Sequence, residues 1–514
     1  MNEADAFTAL IFGCGALVMT LIVWFVARLW LGNGQKAALI ASLFVVVFYA
    51  YGWIFDFVMQ HEPLKMSYDR WHFVLVVFCV ALVVAVSVVL RHSRRNLQQL
   101  SSFLSGVALI VMVMCLVRIG RNEVRMLAAR KKSKPAASSS ASQITSFPRK
   151  PPLNADSPDT PDVYYIILDG YARSDTLQRV CHCDNSDFLK FLTSRGFYVA
   201  DQSCSNYPMT FMSIASSLNM CYLDEEVKSP GYSAVYALWD QPLVARVFQS
   251  KGYRFAYLAT NFKSTLAGTD IVFQRRPSWL LNQFAESLLR TTALRLFEPQ
   301  MADQHLYEFE MVKKIAQIKG PTFTFCHIIA PHPPYVFDRI GNICCDVPQS
   351  MFFKDGWEQQ QNPSSTNARL AYSEQLQYVN KRMEEIVDSI LAQSTVPPII
   401  ILQGDHGTFF TLPSKITDES LDQFAEERMP ILNAYLVPEK MRQKLRPDIS
   451  PVNSFRLLFH ECFGEHFEIL PEKHMVGWYY GPQQLKDATS IVHPSAVRQA
   501  SVAGSSDLSA ARPH

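Results

Sequence analysis

The residues best equipped for chemistry lie far apart in the 514-residue chain. Asp405-His406-Gly407 sets a carboxylate and an imidazole side by side. On a loop both can turn to one divalent ion, and an oxygen–nitrogen pair suits Zn or Mn, with Mg admitted but less well matched. A strand-end turn with a capping Asp would also account for the dipeptide. Asp169-Gly170 offers a second carboxylate, although Asp before Gly is ordinary turn chemistry too. Asn206-Tyr207-Pro208-Met209-Thr210 leads into FMSIASSLN, which predicts a short helix over 209–218 with Thr210 in its first turn. Free N–H groups and the helix dipole attract an anion at such a place. A metal that lowers the pKa of bound water from about 15.7 to about 7 would help the Thr210 hydroxyl to ionise and attack phosphorus. A capping or packing threonine is the other reading, and Ser213 is a rival nucleophile on the same helix. His332, in Pro331-His332-Pro333-Pro334-Tyr335, is kept out of a helix by its prolines. It suits binding a substrate phosphate or protonating a leaving group, or else a structural role bonded to backbone. His327 sits mid-strand and reads as a core residue.

Positioning these residues requires a sheet. Asp169 follows the apolar run VYYIIL, His332 follows TFCHIIAP, and Asp405-His406 follows PIIILQG. Strands are expected over 163–168, 196–200, 253–258, 323–329, 398–402 and 433–437, with helices over 184–195, 243–250, 368–391 and 451–463. Strands alternating with helices imply an α/β domain, a mostly parallel sheet sandwiched by helices. Sites in such sheets lie at the carboxyl ends of the strands, where these side chains fall.

The rest of the chain reads differently. Nearly half of its residues are apolar, and the net charge is only +2, which gives a nucleic-acid partner no support. Apolar residues crowd into the first 120 positions. Stretches 7–27, 37–55, 73–90 and 103–117 approach the ~20 residues a membrane span needs, the last only if Arg118 snorkels. Four transmembrane helices are therefore expected. Basic residues lie between spans one and two and between three and four, placing the C-terminal region outside, whereas the run from Arg118 to Lys134 argues the other way. We take the outside placement. Ser- and Pro-rich sequence over 120–160 predicts a flexible basic linker, and 486–514 a disordered tail. The expected domains are thus a membrane domain 1–119, the linker 120–160, a catalytic domain 161–485 and the tail. Eight cysteines in the soluble region, an even count, fit disulfides in an oxidising compartment, with metal binding by Cys181-His182-Cys183 as the rival.

VYYIILDG, SNYPMTFMSIASSLNM, HIIAPHPPY and IIILQGDHG, in that order, resemble the sulfatase-like branch of the alkaline phosphatase superfamily. The resemblance is nearest to membrane-bound phosphotransferases such as lipoteichoic acid synthase and the lipid A phosphoethanolamine transferases. It implies an alkaline phosphatase-like fold, one divalent ion held by Asp169, Thr210, Asp405 and His406, Thr210 as nucleophile, and His332 as a substrate-binding or acid residue. It also implies an extracytoplasmic catalytic domain on a multi-pass protein of the inner (plasma) membrane, with a phospholipid donor and a glycan or lipid acceptor in the cell envelope. The C/S-x-P-x-R motif of true sulfatases is missing, and Gly404 stands where a serine is common. Lys381 and Arg382 are the only candidates offered for holding a head group. A hydrolase of phosphate or sulfate esters, and a non-catalytic membrane binding protein, are the alternatives.

Overall fold

The structure is a computed structural model and describes residues 6–61, 68–94, 97–132, 147–153, 160–223, 232–260, 265–275, 283–297, 300–318, 320–344, 366–410, 420–477 and 485–493. It divides into two compact units, Met1–Ala136 with Pro277–Glu298, and Ala137–Arg276 with Pro299–His514.

In the first unit the four expected spans are helices: α1 (Ala6–Leu31), α2 (Gly34–His61), α3 (Tyr68–His92) and α4 (Gln98–Lys132). Each holds a stretch long and apolar enough to cross a membrane. Many of their large apolar side chains are exposed, among them Leu17, Phe25, Phe78 and Val89. Such exposure suits lipid and would be a liability in water. α4 runs well past the expected boundary at 119, because the basic run after Arg118 is rich in good helix formers. A helix, Gln283–Thr291, and a 3-10 turn, Ala293–Phe297, also belong to this unit, although the sequence pattern assigned them to the catalytic domain.

The second unit is built on β1 (Val163–Leu168), β2 (Tyr198–Val199), β3 (Arg254–Leu258), β4 (Ile271–Phe273), β5 (Thr322–Ile328), β6 (Ile399–Gly404) and β7 (Asn433–Leu436). They form one sheet in the order β2-β7-β6-β1-β5-β3-β4. β1 is central and runs parallel to both β5 and β6, while β7 runs antiparallel to β6 and β2. Every residue of β1 is buried, as expected for a strand covered on both faces. Tyr164, Ile166 and Leu168 point into a core shared with α9 (Met301–Ile315) and α10 (Thr366–Gln393), through Phe309, Val312, Leu376 and Met383. Tyr165 points to the other face, its ring 5.0 Å from Phe455 of α12 (Pro451–Phe463). Further helices of this unit are α5 (Ser186–Ser194), α6 (Thr210–Asn219), α7 (Tyr232–Asp240), α8 (Leu243–Ser250) and α11 (Leu421–Arg428), beside shorter helical turns. The expected mostly parallel, helix-covered sheet is therefore present, with an antiparallel edge.

Several local expectations change. Residues 147–153, expected in the flexible linker, are bonded to the second unit: Lys150 N donates to Gln249 O at 3.1 Å and Leu153 N to Gly252 O at 2.9 Å. Residues 486–493 of the expected tail hold a strand, β9 (Lys486–Asp487), paired with β8 (Met475–Val476), and a helical turn. Linker residues 133–146 and 154–159 and tail residues 494–514 lie outside the described part. Every described cysteine is a free thiol, so no disulfide is formed among them. Nor does Cys181-His182-Cys183 chelate: both sulfur-bearing residues are buried in the apolar core, while His182 is exposed in a left-handed conformation. Cys345 lies outside the described residues.

Candidate metal centre

Two strand ends and one helix start converge on a single point. Asp169 leaves β1, its N–H still donating to Ile328 O of β5 at 2.9 Å. Asp405 and His406 leave β6 one strand away. Thr210 is the first residue of α6, as its placement in the first helical turn predicts. The hydroxyl of Thr210 is 3.1 Å from Nε2 of His406. That same nitrogen is 3.5 Å from Asp169 Oδ1 and 3.4 Å from Asp405 Oδ2. Ligand-type atoms of Asp169, Asp405 and His406 all lie within 4.8 Å of one another, and all three residues are buried.

The arrangement asks for a cation. His406 Nδ1 is 3.2 Å from Gly407 O, and only an N–H can face a carbonyl, so the Nε2 lone pair is turned toward the carboxylates. Asp169 Oδ1 and Asp405 Oδ2 are buried with no hydrogen-bond donor. The other oxygens are satisfied: Asp405 Oδ1 accepts from Gly170 N and His406 N, each at 2.9 Å, and Asp169 Oδ2 accepts from His327 Nε2 at 3.2 Å. Three electron-rich atoms thus face one another in a buried site, which is unfavourable unless positive charge lies between them. The Oδ, Oδ and Nε2 set, with the Thr210 hydroxyl beside it, fits Zn or Mn.

The titration behaviour follows from the same geometry. Burial first, then the Asp169 charge, pushes Asp405 up to about 7. Burial likewise pushes Asp169 up to about 6, partly offset by His332 and Arg428. His406 is held well below the ordinary histidine range by burial, then by Arg428 and His332. A neutral imidazole is the form that ligates a metal.

His332 is half-buried, its ring centroid 6.3 Å from that of His406. Its Nδ1–H donates to Pro333 O at 2.6 Å, and burial lowers its pKa. The loop is held from α10, where Gln375 Nε2 donates to the carbonyls of Pro331 and His332, and its Oε1 accepts from Val336 N at 2.8 Å. His327 is buried in β5 as expected, but its role is more specific than core filling, since it orients Asp169. Ser213 is turned away: its hydroxyl is 3.1 Å from Ser205 Oγ, which donates to the backbone of Asp405. Gly404 cannot be the serine expected there, because a Cβ would come 2.3 Å from Tyr171 O.

Lys381 and Arg382 do not reach the centre. Lys381 is exposed, and Arg382 pairs with Glu310 and Glu385 on the outer side of α10. Among the described residues, a cation near the site is Arg428, at the end of α11. Its Nε donates to Pro208 O at 2.8 Å and its Nη1 to Gly407 O at 2.9 Å, and it lies 5.6 Å from the Phe409 ring centroid. A small cavity is lined by Arg428, His332, Gly170, Tyr335, Tyr372, Phe409 and Phe410. No spacing in the sequence ties Arg428 to Gly407; only the return of α11 onto the β6 loop does so.

No family model and no curated protein matches the chain. Among solved structures it is similar to the C-terminal periplasmic domain of EcEptC from Escherichia coli, with 12% identity and a TM-score of 0.41 over 66% of this chain and 96% of that one. The C-terminal periplasmic domain of phosphoethanolamine transferase EptC from Campylobacter jejuni gives 14%, 0.38, 61% and 92% in the same order. A phosphonate monoester hydrolase of Agrobacterium radiobacter gives 12%, 0.38, 61% and 75%.

Proposed function

We propose that the chain is a membrane-anchored, metal-dependent phosphotransferase of the sulfatase-like branch of the alkaline phosphatase superfamily. In this reading it moves a phospho-head group from a phospholipid to a glycan or lipid acceptor of the cell envelope. The catalytic domain is extracytoplasmic on a multi-pass inner-membrane protein. The observation that carries the proposal is the meeting of the Thr210 hydroxyl, one donor-free oxygen from each of two buried carboxylates and the His406 lone pair within one coordination sphere.

Asp169, Asp405, His406 and Thr210 would hold a divalent ion, which when bound supplies positive charge that eases loss of the alcohol proton. The Thr210 oxygen attacks phosphorus, its bond to phosphorus forms, and the bond from phosphorus to the diacylglycerol oxygen of the donor breaks, so that diacylglycerol leaves and the phospho-head group stays on Thr210. His332 binds the phosphoryl group or, once protonated, gives its proton to the departing glycerol oxygen. Arg428 supplies a fixed charge for the anionic phosphoryl oxygens. An acceptor hydroxyl then displaces Thr210 and restores it, so that one hard step becomes two easier ones.

The test uses full-length protein in detergent with a phosphatidylethanolamine-containing lipid extract and zinc or manganese. Mass spectrometry should find a phospho-adduct on Thr210 that is missing from Thr210→Ala. An adduct that persists in the variant removes Thr210 as nucleophile. Water, in place of an acceptor hydroxyl, would make the same site a hydrolase, and free phosphorylated head group accumulating without acceptor would favour that reading.

A further inference from the structure

The segment Pro277–Glu298 interrupts the sequence of the α/β unit between β4 and α9, yet it belongs to the first unit. Its partner there is the last turn of the α2 span. Asp56 is the single acidic residue of α2 and lies at the edge of its candidate span, Gly34–Val58. A carboxylate at that depth is costly unless a cation meets it. Two do. Arg295 Nη1 is 2.8 Å from Asp56 Oδ1, with its own side chain 1% exposed, and Arg290 Nη2 is 3.3 Å from Oδ2. The Arg295 guanidinium also stands 4.6 Å from the Phe55 ring centroid. Backbone contact is close as well: a Cβ on Gly52 would come 2.0 Å from Arg290 O. Ala293 packs on the buried cluster of Tyr51, Phe55, Trp71 and Leu75.

We infer that the described part of this segment, 283–297, is a second, non-covalent membrane hold for the C-terminal part of the chain, docked on the exit of α2 through Asp56 and Gly52. The covalent link through α4 and the residues after it is then not the sole attachment. The contact also sets parity. Asp56 and Arg295 can meet only if an even number of crossings separates them, and α3 and α4 supply two, so the fourth apolar stretch crosses the membrane.

The experiment places a site-specific protease site within 136–146 of the full-length protein. Membranes are cleaved, washed at moderate salt and pelleted. The C-terminal fragment of the wild type should remain in the pellet. Arg295→Glu and Gly52→Leu should each release most of it to the supernatant, and Asp56→Arg combined with Arg295→Glu should restore retention. Release of the wild-type fragment on cleavage overturns the inference. So does retention of the fragment in the Gly52→Leu, Arg295→Glu double variant, which would mean that lipid rather than α2 holds it. Divalent-ion content of the released fragment reports that the variants still fold.

Discussion

Two acidic sites of the molecule, one half-buried at Asp56 and one buried at Asp169 and Asp405, solve the same problem in opposite ways. Asp56, at the edge of a span, is neutralised by arginines from the chain itself. Asp169 and Asp405 have no such partner at their free oxygens; what faces them is an imidazole lone pair and a hydroxyl. A guanidinium fills its site permanently and makes a structural joint. A site with only donors of electron pairs is stable when ionised only with a cation added, and that cation can do chemistry. Burying a charge is costly in both places, and the neighbours decide whether the result is a clamp or a catalyst.

The sharpest way to break this contrast is to remove the metal. Chelation should abolish transfer, by about 10³-fold or more if the ion supplies several kcal/mol of charge stabilisation, while leaving the Asp56 joint intact. The effect has a pH sign. Asp169 is raised to about 6 and Asp405 to about 7, so the metal-free folded chain keeps protons that the unfolded chain has already released. That contribution is fully present below the ordinary aspartate pKa near 3.8 and is lost as pH climbs through about 6 and 7. Metal binds the ionised forms and works in the other direction. The Tm gap between loaded and chelated protein should therefore widen from pH about 5 to about 8. A gap that is flat with pH would mean the two carboxylates are not the ligands.

A smaller effect separates the fixed charge from the exchangeable one. Arg428→Ala should lower kcat/KM by about 10–100-fold, the worth of one charge-assisted phosphate contact, with divalent-ion content unchanged. Loss of the ion along with activity would show that Arg428 merely props the Gly407 loop. At the clamp, Arg295→Ala should cost about 1–3 kcal/mol in thermal unfolding, below the 3–5 of a fully buried pair because Asp56 is partly exposed. The smallest effect belongs to Ser213→Ala. It should leave the rate within about threefold and cost ~1 kcal/mol of stability for one buried hydroxyl contact. A large rate loss there would reopen the choice of nucleophile.

What the sequence determined by itself was local. Alternating apolar runs bounded by Asp-Gly, Ala-Pro and Gly-Asp-His mark β1, β5 and β6, and the parallel-sheet rule then sends Asp169, His332, Asp405 and His406 to one edge. Uninterrupted apolar stretches mark α1 to α4, because a span must satisfy its own backbone within one segment. Tertiary structure decided whatever depends on two distant segments meeting. His327 became the residue that orients Asp169 only because β5 lies beside β1. Arg428 faces the site only because α11 folds back over Gly407. The helix Gln283–Thr291 has an amphipathic pattern like any surface helix, and nothing in it names Asp56. Periodicity reports which face of an element is apolar, while the identity of the partner is set by packing, which has no period along the chain.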